Sequence, residues 1–224
     1  MARPDFKSPH WHHPHEGEHR FPVSLVVILV VILQFLLPTN LSLRHQNWIC
    51  FLEVALLFSL LVVGQTRISV HHTPSRILSL VLTSVMTLSN TASAILLVRR
   101  LIDGGITDAN SLLRSGGSIW LTNIIIFSLW YWEFDRGGPG ARAEAREEYA
   151  DFLFPQMSDA EFAHPDWHPK YADYVYVSIT NASAFSPTDA LPLSRWAKGL
   201  MTIQSLTSLV TVGLVVARAV NILH

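Results

Sequence analysis

The histidine side chains near the start of this chain are of a type and spacing that could bind a metal ion. Neutral imidazole binds Zn, Cu or Ni, so a histidine-rich tail could hold a metal. Prolines interrupt that tail and leave it without a fixed geometry, and three ligand-type residues in one acidic loop are a common coincidence. We therefore expect no selected metal site and no cofactor. Adventitious metal binding would involve His10, His12, His13, His15 and His19, or the cluster His164, Asp166 and His168.

Two carboxylates lie inside or at the border of apolar segments. Glu53 is five residues past Trp48, and Glu133 lies beside Asp135 and Arg136 at the end of another segment. An uncompensated charge inside a bilayer is costly, so such residues are by default candidates for function. Both carboxylates lie near a segment end, and the sequence therefore favours anchoring at the membrane interface.

Enzymatic signatures are missing from the sequence. No HExxH, P-loop or GxGxxG motif is present, and no Ser, His and Asp follow one another in a known catalytic order. The single Cys50 excludes an intrachain disulfide and a thiolate metal cluster. With 16 Lys and Arg against 17 Asp and Glu, there is no basic excess to hold a phosphate backbone. We expect neither an enzyme nor a nucleic-acid-binding protein.

The elements that must position any site are membrane helices. Half of the 224 residues are hydrophobic and only 15% are charged, against about 25% charged residues in soluble domains. At 1.5 Å per residue, five apolar segments are long enough to cross or nearly cross ~30 Å of hydrocarbon. The sequence thus predicts an all-α membrane protein with five transmembrane helices, over 21–38, 47–64, 77–98, 118–134 and 193–223.

The chain divides into three parts. Residues 1–20 are rich in His and Pro and predict a flexible tail, followed by a three-helix membrane part over 21–117. The remainder, 118–224, contains two helices and a long polar connection. Apolar residues at helical spacing in that connection predict a surface helix over 141–154.

A second segment of the connection predicts a half-helix. Residues 171–183 are apolar enough to enter a membrane, but 13 residues span only about 20 Å. We expect this helix to be re-entrant, and the loop over 184–192 to be buried in protein or to line water. On the last helix, three polar residues lie at offsets of 0, 4 and 7 and predict a face toward water or partners: Gln204, Ser208 and Thr211.

This order of elements resembles the pore module of tetrameric potassium channels. TNASAFSPTDALP, residues 180–192, is similar to their T-x-T-T-V-G-Y-G-D-x-x-P, with Asp189 in place of the aspartate that closes the filter. The resemblance covers about 119–223. It implies a homotetramer in which the polar face of the last helix lines a pore.

The filter-like segment departs from that family. Potassium filters need glycines so that successive carbonyls can point down one axis, and this chain has no glycine from Tyr171 to Lys198. A potassium-selective filter is therefore not expected. The resemblance still implies a cation pathway at a degenerate filter formed by Thr180, Ser183, Ala184, Phe185, Ser186, Thr188 and Asp189.

A second resemblance concerns two short motifs. W-Y-W-E-x-D-R-G-G-P, here 130–139, and N-A-S/T-A-F-S-P-T-D, here 181–189, are similar to segments of a group of uncharacterised bacterial multi-pass integral membrane proteins. This resemblance implies a multi-pass protein of the inner (plasma) membrane, in contact with the lipid bilayer.

Three classes of function remain open. The first is an oligomeric channel that passes monovalent cations with poor selectivity, and the second is a non-conducting structural or regulatory membrane protein. A small-solute carrier ranks third, because internal repeats are not visible. One re-entrant loop cannot enclose a pathway alone, so we expect a closed homo-oligomer with four subunits favoured. The positive-inside rule and the channel resemblance predict opposite orientations, which leaves orientation open.

Overall fold

The computed structural model describes residues 11–38, 41, 46–64, 66–104, 108–158, 161, 163–164, 166–183 and 190–223. Within these ranges the chain is predominantly helical, which confirms the all-α class. The helices are α1 (Phe21–Phe35), α2 (Gln46–Val63), α3 (Thr73–Ile102), α4 (Ala109–Phe134), α5 (Pro139–Ala143), α6 (Pro155–Ser158), α7 (Tyr171–Ser183) and α8 (Arg195–Leu223).

Two very short antiparallel strand pairs tie distant segments together. β1 (Glu18–His19) pairs with β2 (Arg67–Ile68), so the N-terminal segment is joined to the connection between α2 and α3. β3 (Phe152–Leu153) pairs with β4 (Leu191–Pro192), which joins the connection after α4 to the start of α8.

Four described helices are long and apolar enough to cross a membrane: α2, α3, α4 and α8. Two of them extend beyond their apolar segments because polar residues cap them. The His72 imidazole accepts a hydrogen bond from Ser75 N (3.4 Å) at the start of α3. Asp108 Oδ2 accepts one from Ser111 N (2.7 Å) at the start of α4. By contrast α1 has 15 residues, or about 22 Å.

Helix α4 is the centre of the structure. In its apolar stretch 67% of the residues are buried, against 28% in both α2 and α8. It contacts α1, α3, α7 and α8, and its Tyr131 and Trp132 are among the largest fully buried side chains. Any site formed by the C-terminal half is therefore assembled around α4.

The prediction of a surface helix over 141–154 is wrong. Helix α5 ends at Ala143, and Ala145 adopts a positive φ of 50°. The chain then becomes extended, which places the fully buried Phe152 against the rings of Tyr131 and Trp196. Burial of this one aromatic side chain overrides the helical spacing of the segment.

The prediction of a flexible tail over 1–20 is wrong for residues 11–20. Residues 1–10 lie outside the described residues. The Trp11 ring lies 5.0 Å from the guanidinium carbon of Arg136. The backbone N–H of His15 donates to the carbonyl of Ala143 at 3.0 Å. Residues 11–20 are thus packed on the rest of the protein.

Candidate functional site

Helix α7 lies between α4 and α8. The helix predicted over 171–183 is present with those bounds, while its re-entrant placement stays a prediction. Its buried side chains recur at helical spacing toward α4 and α8. They are Tyr171, Tyr174, Val177, Ser178 and Ala182.

The C-terminal end of α7 is capped by side chains of α8. The last carbonyls of a helix have no partner within it. Here Ser205 Oγ donates to the carbonyl of Asn181 at 3.2 Å, and Ser208 Oγ donates to that of Ala182 at 2.6 Å. A helix that stops short among apolar helices therefore keeps these backbone groups paired.

Gln204 joins three helices at this end. Its side chain is completely buried. Its Oε1 accepts hydrogen bonds from Tyr131 OH on α4 (2.5 Å) and from Asn181 Nδ2 on α7 (2.8 Å). Its Nε2 donates to the hydroxyl (2.6 Å) and the carbonyl (3.0 Å) of Ser178. We name Tyr131, Ser178, Asn181, Gln204, Ser205 and Ser208 the amide network.

The polar face of α8 is buried within the single chain. Gln204, Ser208 and Thr211 share a face as predicted, but they are 0%, 1% and 4% exposed. Ser208 accepts from Trp120 Nε1 at 2.6 Å, and Thr211 donates to the carbonyl of Thr207 at 2.8 Å. In the single chain this face meets α4 and α7, and the pore-lining assignment stays a prediction.

Two of the filter-like residues are described, and both hydroxyls bond to their own helix. Thr180 Oγ1 donates to the carbonyl of Tyr176 at 2.9 Å, and Ser183 Oγ donates to that of Thr180 at 3.2 Å. The other predicted positions lie outside the described residues, and their roles stay predictions. They are Ala184, Phe185, Ser186, Thr188 and Asp189.

The N-terminal end of α7 is held by charged groups. Tyr171 N donates to Glu18 Oε2 at 2.8 Å, and Tyr174 OH donates to Asp135 Oδ2 at 2.6 Å. Carboxylates near a helix N-terminus are favoured by the helix dipole. We name the surrounding set the ionic cluster: Glu18, Asp135, Arg136, Arg142 and Asp151.

Arg142 is the buried cation of the ionic cluster. Its Nη1 donates to the carbonyls of Trp132 (2.6 Å) and Asp135 (2.9 Å), and its Nη2 lies 3.6 Å from Glu18 Oε1. The guanidinium also lies 5.0 Å from the centre of the Tyr174 ring. A desolvated guanidinium needs several such partners.

The two aspartates of the cluster tie together the connection after α4. Asp135 Oδ1 accepts from Asp151 N (3.0 Å) and Phe152 N (3.3 Å). Asp151 accepts from Arg136 N (2.9 Å) and from Trp196 Nε1 (2.8 Å). With Tyr174 OH, Asp135 serves three donors from two segments, and Asp151 serves two donors from two segments.

The turn that begins the connection requires glycine. Gly138 has a φ of +96°, and a Cβ there would lie 2.9 Å from the carbonyl oxygen of Glu133. The sequence analysis noted this segment for its border carboxylate and for a resemblance, and it missed the cluster that the segment builds. The signal was present, since two acids, two arginines and three glycines fall within 133–142 directly after an apolar helix.

Glu133 and Glu53 are both buried, at 3% and 0% exposure, so their predicted interfacial anchoring is wrong. Glu133 accepts a hydrogen bond from the Ser79 hydroxyl. It lines a cavity of about 30 Å³ together with Arg20 and Arg76, a volume close to the share of one water in the liquid. Burial disfavours a charge on Glu133, and the guanidinium groups of Arg142, Arg76 and Arg20 offset part of that cost.

The two histidine clusters of the sequence meet at one contact. The rings of His15 and His168 stack with centroids 3.7 Å apart and planes at 15°. Burial, aided by the nearby charges of His168 and Arg142, lowers the pKa of His15 from 6.5 to about 4, and burial also lowers the pKa of His168. Among the described residues no three potential ligands come together in a group able to hold a metal ion.

Comparison of the chain with protein-family models, with curated proteins and with solved structures finds no match. A functional proposal for this protein therefore depends on the geometry of α4, α7 and α8.

Proposed function

We propose that the chain is one subunit of a symmetric membrane oligomer, with four subunits favoured, that passes monovalent cations with poor selectivity. The observation that carries the proposal is the position of α7, which packs on both α4 and α8 and whose C-terminal carbonyls are capped by α8. In the proposal α7 is re-entrant, and the loop over 184–192 forms the mouth of the pathway.

Electrostatics at the C-terminal end of α7 supports a cation as the ligand. The end of a helix carries a partial negative charge of about half an electron. The adjoining sequence adds the hydroxyls of Ser186 and Thr188 and the carboxylate of Asp189. Oxygen atoms of these kinds concentrate cations at a pore mouth. In the proposal the amide network holds α7 in position and does not contact the ion.

The proposal includes α1 as a fifth crossing. Its 15 residues cover about 22 Å, and a short helix is accommodated by local thinning of the bilayer. Support comes from large apolar side chains that lie exposed along it and beyond its end, as expected for a surface in contact with lipid. They include Leu25, Ile28, Ile32, Phe35 and Leu36.

A second candidate is a non-conducting membrane protein with a structural or regulatory role. The observation that favours it is the burial of the polar face of α8, because Gln204 and Ser208 form hydrogen bonds with groups of their own chain. Such an arrangement also suits a closed re-entrant hairpin with no pathway beside it.

Cation flux into liposomes distinguishes the two candidates. Purified protein is reconstituted with a potassium- or sodium-sensitive dye inside the vesicles, and flux is measured at both voltage polarities. We expect flux above that of empty liposomes, with little preference between the two ions. Asp189→Asn should lower the flux severalfold without lowering stability, because it removes the mouth carboxylate. The matched control is Asp166→Asn, a highly exposed carboxylate outside that loop.

Native mass spectrometry of the same preparation counts the subunits. A tetramer with flux supports the channel. A folded oligomer without flux favours the non-conducting candidate, and a monomer at every protein concentration contradicts the proposal, since one loop cannot enclose a pathway.

A further inference from the structure

Glu53 is an ionisable residue inside α2 that belongs to neither the amide network nor the ionic cluster. Its side chain is completely buried, and neither carboxylate oxygen has a hydrogen-bond partner among the described residues. It lies seven residues into a helix of mean hydropathy 1.9, or about 10 Å from its start. A charged carboxylate with no partner in such surroundings is strongly disfavoured.

The helices packed against α2 offer no counter-charge. Helix α2 packs on α1 and α3, and α1 contains no ionisable residue. The ionisable residues of α3 are Arg76, Arg99 and Arg100, near its two ends, and none forms an ion pair with Glu53 in the described chain. On α2 itself the thiol of Cys50 lies close enough to feel the carboxylate. No described cation therefore balances a negative charge on Glu53.

The neighbouring polar groups also fail to form a site for a metal cation. The amide of Gln34 lies close enough to Glu53 to favour its charged form, but no hydrogen bond of normal geometry joins the two side chains, and a neutral amide supplies no counter-charge. Gln34 Oε1 is already occupied by hydrogen bonds from Gln46 Nε2 (3.0 Å) and Ser89 Oγ (2.8 Å). Hard metal cations need about six oxygen ligands, whereas a proton needs only the carboxylate itself.

We propose that Glu53 is a membrane-embedded proton-binding site, whose carboxyl group carries a proton in the folded protein at neutral pH. The proton neutralises the group where neither a counter-ion nor a set of oxygen ligands does so. The site lies in the three-helix N-terminal part and is formed by α1, α2 and α3. It is therefore independent of the proposed conduction beside α7.

Infrared spectroscopy tests the proposal directly. The difference between the spectra of the wild type and Glu53→Gln, both folded in liposomes at neutral pH, isolates the carboxyl group of residue 53. We expect a C=O stretching band of a protonated carboxylic acid that shifts in D₂O and is absent from the variant. Glutamine has the shape of the neutral acid, so the variant should fold.

Glu133→Gln is the matched control for a second buried carboxylate. Glu133 is hydrogen-bonded by Ser79 and surrounded by guanidinium groups, so this variant should retain the acid band. If Glu53→Gln lost carboxylate bands relative to the wild type, and no acid band, residue 53 would be ionised. That result would overturn the proposal. A band that appears only after sodium is removed would also overturn it, because the site would then bind a metal cation.

Carbodiimide labelling of the wild type keeps the proposal testable if Glu53→Gln does not fold. Dicyclohexylcarbodiimide reacts with protonated carboxyl groups in apolar surroundings, and mass spectrometry locates the adduct. We expect an adduct at Glu53 at neutral pH. Protein unfolded in detergent at acidic pH, in which Glu53 is protonated and accessible, serves as the positive standard for the adduct. A Glu53 that reacts in that standard but stays unmodified in folded protein at neutral pH would contradict the proposal.

Discussion

The two ends of α7 are held by different chemistry. Its first turn is held by Glu18 and Asp135, charged residues that belong to separate segments. Glu18 forms an ion pair with Arg142, and Asp135 forms one with Arg136. Its last turn is held by neutral side chains, Ser205 and Ser208, which both come from α8. Buried charges need several partners, whereas a neutral hydroxyl needs only one acceptor. The charged end therefore requires segments from much of the chain, and the neutral end requires one neighbouring helix.

Sequence separation makes the same contrast quantitative. The bond from Tyr171 N to Glu18 joins residues 153 positions apart, while that from Gln204 to Ser178 joins residues 26 apart. Contacts between distant segments form only when the whole chain is folded. We expect damage to the ionic cluster to lower global stability and damage to the amide network to act mainly on the position of α7.

The largest effect is expected from Arg142→Met. Removing the guanidinium leaves the carboxylate of Glu18 without its counter-charge and takes a buried donor from the carbonyls of Trp132 and Asp135. This loss should lower the free energy of unfolding by about 3–5 kcal/mol. Reversible unfolding in mixed detergent micelles measures this change. Arg146→Met is the control, because Arg146 is half exposed and its ion pair among the described residues is with Glu144. This variant should change stability by less than about 1 kcal/mol. Equal effects of the two variants would show that the ionic cluster is not the stabilising element.

A smaller effect is expected from Gln204→Leu. The substitution deprives the buried hydroxyl of Tyr131 of its acceptor, at a cost of about 1–3 kcal/mol. The hydroxyl of Ser178 and the amide of Asn181 still donate to the carbonyls of Ile124 and Met201. Cysteine labelling along α7 should rise as the helix loosens. Thr202→Val, which removes an exposed hydroxyl bonded to its own helix, should change neither labelling nor stability. Unchanged labelling in Gln204→Leu would mean that α8 does not hold the half-helix.

The smallest effect is expected from acid acting on the stack of His15 and His168. The pKa of His15 falls from 6.5 to about 4 in the folded protein, so the folded state binds fewer protons between these values. The stabilisation from the neutral stack is therefore fully present above pH 6.5 and is lost as the pH falls toward 4. Hydrogen exchange of residues 11–20 should increase over that window.

His15→Ala should show fast exchange of residues 11–20 at every pH, because the stack cannot form. His13→Ala is the control, since His13 is exposed, and it should keep the wild-type pH profile. A profile that His15→Ala leaves unchanged would rule out the stack as the pH-sensitive contact.

The amino-acid sequence alone determined the helical class, the long helices and the bounds of α7. Apolar runs long enough to cross a bilayer predict α2, α3, α4 and α8, because no other arrangement pairs their backbone groups in lipid. The run over 171–183 is bounded by Pro169 and Pro187, which prevent a longer helix. The period of 3.6 residues likewise placed Gln204, Ser208 and Thr211 on one face of α8.

Only the tertiary structure decided what that face meets and which acids are buried. Periodicity tells which side of a helix avoids lipid, but water, a partner subunit and a helix of the same chain all satisfy it. The burial of Glu53 and Glu133, the extended conformation around Phe152 and the convergence of Glu18 on α7 depend on contacts between segments far apart in sequence. Such contacts arise from packing around α4, which no local pattern in the sequence encodes.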